Sequence, residues 1–209
     1  MCLERGILLS YNINTMMRKE KPEIGGNKMD TETFANYILS ETDWIKKMEI
    51  VYYLQKKANI FFDNSVVFKT LLAKQFLDRM HLGLDQNIVL TACLLCNCKK
   101  PTNARDLNQI RSYAKEGADY LKQLGFSEQF CKICEGVNRY SNLEPREKES
   151  DVLELVDQFG GMLLDRPERI AFKTDEALVL LEYRNLKDKY NQYLPEFRQF
   201  VSEMEAILV

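Results

Sequence analysis

The chain of 209 residues contains one histidine, His81. With no second imidazole a shared histidine metal site cannot be assembled, and His81 itself reads as a surface or cap residue, so no histidine is expected to activate a serine or cysteine. A glycine-rich phosphate loop and a Gly-x-Ser-x-Gly elbow are also missing, which removes two common catalytic schemes. Neither sign of charge dominates: 29 Lys and Arg stand against 31 Asp and Glu, a net charge of −2. A general polyanion binder usually carries a basic surface, so nucleic acid is not expected as a partner. The basic pairs Lys46-Lys47, Lys56-Lys57 and Lys99-Lys100 are separated by acids and read as solvated faces. No apolar run approaches the roughly 18 residues of a membrane span. The opening MCLERGILLSYNINTMMRKEK lacks a signal-peptide core and cleavage site, so no membrane contact and a cytoplasmic location are expected. No stretch alternates with period two for long enough to suggest a strand.

What the chain does have is helical periodicity. Residues 1–28, with Arg18, Lys19, Lys21, Pro22 and Gly25-Gly26, show no sustained period and read as a flexible leader; a single domain is expected over 29–209. Asp30-Thr31 can cap a first helix carrying Phe34, Tyr37, Ile38 and Leu39. A second, from Asp43, presents Trp44, Ile45, Met48, Val51 and Tyr52. Asp63 or Asn64 caps a third, with Val67, Phe68, Leu71, Leu72, Phe76, Leu77 and Met80 repeating every three or four residues. It should stop at a left-handed glycine cap, Gly83. The run from Gln86 to about Cys98 is apolar all round and marks the centre of the domain. Further helices follow Asp106, Ser127, Ser150, Thr174 and the Leu194-Pro195 break. The fold class is all-α, a bundle of about eight or nine helices.

Within that series, the stretch Ser150 to Leu181 is the most informative. Val152, Leu155, Val156 and Phe159 form an apolar stripe with Asp157 beside it, and a carboxylate among apolar neighbours requires a partner. Gly160-Gly161 leads on to Asp165-Arg166-Pro167, then to Thr174 with Glu176-Ala177-Leu178. Together with Ala92-Cys93-Leu94-Leu95-Cys96-Asn97-Cys98-Lys99-Lys100 and Glu116-Gly117-Ala118, this pattern resembles the HD superfamily of metal-dependent phosphohydrolases, and within it the HD-GYP cyclic-di-GMP phosphodiesterases. The resemblance covers residues 60 to 200 or so. It implies an HD-like helical bundle and places the vestigial site positions at Val67, Cys96, Asn97, Lys100, Tyr113 and Asp157. The family has histidines at three of these (Val67, Cys96, Tyr113) and an aspartate at Asn97; only Asp157 and Lys100 match. The His-His-Glu-Arg segment is replaced by Gly136-Val137-Asn138-Arg139, and the Gly-Tyr-Pro motif is absent.

An imidazole and carboxylate pair is what holds a hydrolytic divalent metal with open positions for water and phosphate. With every imidazole gone, neither a metal nor phosphodiesterase activity is expected. Asp157 then has two readings: a relic ligand that accepts from Asn97 or pairs with Lys100, or a buried carboxylate that holds helices together. Arg166 and Arg169 fix a turn, or else keep an anion-binding site, since this turn lies near the substrate pocket in the family. Cys93, Cys96, Cys98, Cys131 and Cys134, with Cys2, are expected to be reduced and, in the domain, packed as small apolar groups. The competing reading is a thiolate site for Zn, Fe or Mn in a divergent phosphohydrolase. The preferred expectation is a catalytically inactive regulatory or scaffolding module with a protein partner or a homodimer, and with a nucleotide as a further candidate ligand. The alternating charges of Glu182 to Lys189 mark one candidate partner face.

Overall fold

A computed structural model of the chain describes residues 31–57, 64–101, 107–141, 143–166, 169–188 and 191–208. The expected leader 1–28, Cys2, and the caps placed at Asp30-Thr31 and Asp63 lie outside these residues or outside the side chains described. Nine α-helices are found among the described residues: α1 (Thr31–Ser40), α2 (Trp44–Lys57), α3 (Asn64–Met80), α4 (Gln86–Leu95), α5 (Leu107–Gln123), α6 (Glu128–Glu135), α7 (Lys148–Met162), α8 (Thr174–Asp188) and α9 (Leu194–Leu208). A short 3-10 turn, Arg139–Ser141, follows α6. The described residues include no strand, only an isolated bridge between Arg166 and Arg169. The chain is therefore all-α, as its periodicity implies. None of the described helices is long and apolar enough to cross a membrane.

The central helix is α4, where Val89 to Leu95 are buried without a break. It packs against α1, α2, α3, α6 and α7. Asp85 caps it by accepting from the Asn87 and Ile88 backbone N–H groups at 2.8 and 3.2 Å. The helix stops at Leu95, short of the expected Cys98, and Cys96 to Lys99 form a turn. That turn carries Asn97 and Lys100 away from the helix axis and across the seam toward α7. At the end of α3, His81 takes the left-handed conformation (φ +49°), with Gly83 second (φ +71°). The residue read as a surface or cap group thus caps the helix itself, in place of the expected glycine.

Aromatic side chains lock the far end of the bundle. Phe76 on α3 and Phe159 on α7 both meet Phe197 on α9 edge to face, with centroids 5.0 and 5.2 Å apart. Such pairs add about 0.5–1.5 kcal/mol each beyond their area. Pro195 occupies the first turn of α9, where its missing N–H has no intrahelical partner to lose.

Two inward faces differ from the sequence reading. On α2, Ile45 points outward, 45% exposed, and Lys47 takes an inward place beside Met48 and Val51. On α3 the buried face is Val66, Lys69, Thr70, Leu72, Ala73, Phe76 and Leu77, while Val67 and Phe68 are half-buried. Each difference puts a lysine where an apolar residue was expected. The solvated-face reading also fails within two basic pairs, because Lys47 and most of Lys100 are inside whereas Lys46 and Lys99 are outside.

Candidate functional site

Asp157 lies on α7 where that helix crosses α3 and the turn after α4. Its apolar stripe, Val152, Leu155, Val156 and Phe159, is at most 2% exposed, so the helix is held with Asp157 at the edge of the core. Three donors converge on the carboxylate. Lys69 Nζ from α3 donates to Oδ1 at 2.6 Å, Asn97 Nδ2 donates to the same oxygen at 2.7 Å, and Lys100 Nζ donates to Oδ2 at 2.7 Å. The side chains of Lys69 and Asp157 are 6% and 12% exposed, and that of Lys100 is 27% exposed.

A pair of glycines makes this crossing possible. A Cβ on Gly160 would lie 2.9 Å from Lys69 Cγ, and one on Gly161 would lie 2.9 Å from Arg166 Nη2 and 3.8 Å from Lys69 Nζ. Without those Cβ atoms the lysine stem lies across α7, and its ammonium reaches Asp157 one helical turn back.

The electrostatics follow from the stoichiometry of two cations to one anion. Burial, the largest single influence on Asp157, opposes ionisation, but Lys100 and Lys69 together outweigh it and hold the carboxyl well below the usual range. Lys100 moves the other way from a simple ion pair. Burial and the nearby Lys69 lower its pKa although Asp157 raises it. Both partners are thus lowered for different reasons: on Lys100 burial, helped by Lys69, outweighs the pairing with Asp157, whereas on Asp157 the two cations outweigh burial. The next carboxylate along α7 does not relieve this, since Glu154 is committed to Arg146 at 2.6 Å and to Gln158 at 2.8 Å.

The structure gathers most of the anticipated positions. Asn97 and Lys100 both bond Asp157, so the two partners considered for a relic ligand are engaged at once. Tyr113 is buried beside them, its ring centroid 5.3 Å from Lys100 Nζ, and burial pushes its hydroxyl pKa well up. Cys96 is buried close enough to feel Asp157, Lys100 and Lys69. Val67 is the exception: it packs against the core while Lys69, two residues on, makes the contact.

Arg169 donates to the carbonyls of Met162 (3.0 Å), Gly161 (2.5 Å) and Ile170 (3.2 Å), closing the end of α7. Asp165 accepts from the Ala171 N–H at 2.8 Å and tightens the same turn. Arg166 is exposed, with its guanidinium over Gly161. Pro167 lies outside the described residues.

Lys69 was not among the anticipated site residues, although its position carried a signal. It stands three residues after Val66, four before Ala73 and seven before Phe76, in register with the apolar stripe, and the matching Gly160-Gly161 pair lies on the partner helix.

A divalent metal, which the resemblance would imply, does not fit these donors. The Asp157 oxygens are bonded by two ammonium groups and an amide, and the positions where the family has histidine are apolar, thiol or phenol. Among the described residues no group of three or more His, Cys, Asp or Glu side chains could share a metal ion. The thiols are packed inside the bundle. Cys93, Cys96, Cys98, Cys131 and Cys134 are free and buried, and burial pushes all five upward, Cys98 to about 11. Raised in this way, the thiols stay protonated at neutral pH as small core groups. Their weak contacts to carbonyls, such as Cys96 Sγ to Cys93 O at 3.8 Å, are those of packed core groups.

Compared with protein-family models, with curated proteins and with solved structures, the chain matches nothing.

Proposed function

We propose that the chain is an HD-GYP-like bundle without phosphohydrolase chemistry, serving as a regulatory or scaffolding module. The observation that carries this reading is the set of donors on Asp157. Hydrolysis of this type needs a metal-bound hydroxide held by carboxylate and imidazole. Here two lysine ammonium groups and the Asn97 amide occupy the carboxylate instead. Charge neutralisation by lysine preserves the seam between α3, α4 and α7 while removing the means of making a nucleophile at neutral pH.

A scaffolding role also needs a surface. On the outer side of α8, Val179 and Tyr183 stand one turn apart, 65% and 63% exposed, and Tyr140 on the 3-10 turn is 51% exposed. Arg139 beside it donates to the Arg184 carbonyl at 2.7 Å, so the turn and the helix share one side of the molecule. Exposed aromatic and aliphatic side chains grouped in this way suit a protein partner or a second copy of the chain.

The test is metal analysis of untagged protein together with an assay on bis-p-nitrophenyl phosphate in manganese. Expected are substoichiometric metal and no hydrolysis above that of Asp157→Asn. Chelator-sensitive turnover abolished in that variant would overturn the reading and restore the divergent phosphohydrolase.

A further inference from the structure

We infer that the outer face of α8 is the contact of a two-fold dimer, in which the α8 helices of two copies of the chain lie antiparallel. The proposal deepens the reading above: it takes the partner surface named there as its premise and assigns that surface a second copy.

The face is set by helical register. Ala177 and Leu181 are fully buried, and α8 packs on α7 and α9. Val179 and Tyr183, each two residues further on, are thereby turned away from the core and lie one turn apart along the outer side. With Tyr140 on the same side of the molecule, they supply the apolar centre of a protein contact. An apolar centre alone would suit many partners.

Charge selects among them. Asp175 and Glu176 stand exposed in the first turn of α8, and Arg184 stands exposed just beyond Tyr183. Arg139 brings a second guanidinium to that end through its bond to the Arg184 carbonyl. Glu182, on the other side of Tyr183, is held by Arg198 and so does not offset the basic end. The face is therefore acidic in its first turn, apolar in the middle and basic beyond.

That order is its own complement. At about 100° per residue, Glu176 and Arg184 fall on the same side of the line from Val179 to Tyr183. A two-fold axis perpendicular to the helix reverses its direction and keeps that side, so Glu176 of each copy comes to Arg184 of the other and Val179 comes to Tyr183. A parallel pair would set Glu176 against Glu176 and Arg184 against Arg184, and like charges so placed repel. The antiparallel order also opposes the two helix dipoles.

The experiment is sedimentation equilibrium of the full chain at pH 7 in reducing buffer. One helix and one turn from each copy make a small contact, so a Kd on the order of 10–100 μM is expected, within reach of samples at about 300 μM. Either single reversal, Glu176→Lys or Arg184→Glu, should weaken the dimer at least roughly tenfold, because every substitution acts twice in a two-fold pair. An equimolar mixture of these two variants should pair within about threefold of wild type, since one chain is then basic at both ends of the face and the other acidic at both. Tyr183→Ser, which removes the apolar centre, should abolish association. Glu176 also accepts from the Lys173 N–H. Should its reversal fail to fold, Glu176→Gln keeps that bond and should weaken the dimer roughly threefold.

A wild type that stays monomeric at the highest concentration would overturn the proposal. So would single variants that pair as tightly as wild type, or a mixture that pairs no better than its components. None of these results touches the reading of the previous section, which falls only to chelator-sensitive hydrolysis.

Discussion

Two lysines are buried in this protein by opposite means. Lys47 is 1% exposed and among the described residues donates to neutral oxygens, Asn87 Oδ1 and Thr91 Oγ1, with Asn87 in turn donating to the Leu39 carbonyl. Glu41 and Asp85 act on it only at a distance, and burial draws its pKa down to about 8. Lys69 is also buried but lies against a carboxylate shared with Lys100. The first arrangement fastens α1 and α2 to α4 through neutral oxygens and tolerates loss of the proton. The second fastens α3 to α7 and depends on full ionisation. Burial alone therefore does not say what a lysine contributes; the charge of its acceptor decides.

The harshest break is Asp157→Ala. It leaves two buried ammonium groups without a counter-charge and should cost about 3–5 kcal/mol in urea denaturation at pH 7. The folded carboxyl titrates below its ordinary value of 3.8, so its contribution is complete above that pH and fades as the pH falls through the folded value. The gap between wild type and variant should accordingly narrow in acid. A loss under about 1 kcal/mol at pH 7 would remove the cluster from the list of what holds the bundle together.

Lys47→Met sharpens the other half of the comparison. Between the folded pKa of about 8 and the ordinary 10.5, the unfolded chain holds more protons at this lysine, and its contribution to stability rises with pH. The stability of wild type relative to Lys47→Met should thus improve by about 2–3 kcal/mol across that window. The paired measurement is necessary because the buried thiols pull the other way. Their ordinary pKa is 9.0 and their folded values are higher, so both proteins lose stability as pH rises past it. An unchanged difference between the two proteins would place water beside Lys47.

Two glycine substitutions test the crossing. Gly160→Ala pushes a methyl against the middle of the Lys69 stem and should cost about 1–3 kcal/mol. Gly161→Ala crowds the end of the Arg166 side chain and touches Lys69 only at ordinary contact distance, and the gain in helix propensity of about 1 kcal/mol should make it nearly neutral. Reversal of that order in thermal melts would mean that Lys69 does not lie across α7. The smallest effect belongs to Lys74→Ala. Its ion pair with Asp78 is as short as the buried one, 2.5 against 2.6 Å, but sits on the surface. Its removal should cost no more than about 0.5 kcal/mol.

Much of this was legible in the chain. The stripe around Asp157 follows helical period, so the burial of Leu155 and Phe159 and the edge position of the carboxylate could be read directly. Asn97 and Lys100 were found by resemblance, and both reach Asp157. Lys47 and Lys69 were not found, for one reason. A lysine on an apolar stripe ordinarily trails its stem over the core and returns its charge to water, and only a partner distant in sequence decides otherwise. For Lys47 that partner is a pair of neutral groups forty and forty-four residues on; for Lys69 it is eighty-eight residues on. Position in the stripe shows that such a side chain points inward, but not whether an acid awaits it. The stop of α4 at Leu95 was hidden similarly, because Cys96 and Cys98 continue the apolar run while the backbone has already turned.

The order in which the cluster's members occur along the chain has a consequence for synthesis. Lys69 and Lys100 emerge from the ribosome well before Asp157. Until α7 follows, the two ammonium groups have no Asp157 carboxylate to bridge them, and both remain hydrated. Arrival of a single acid supplies the bonds that join α3 and the turn after α4 to α7, so this seam closes only once the helix bearing Asp157 has been made.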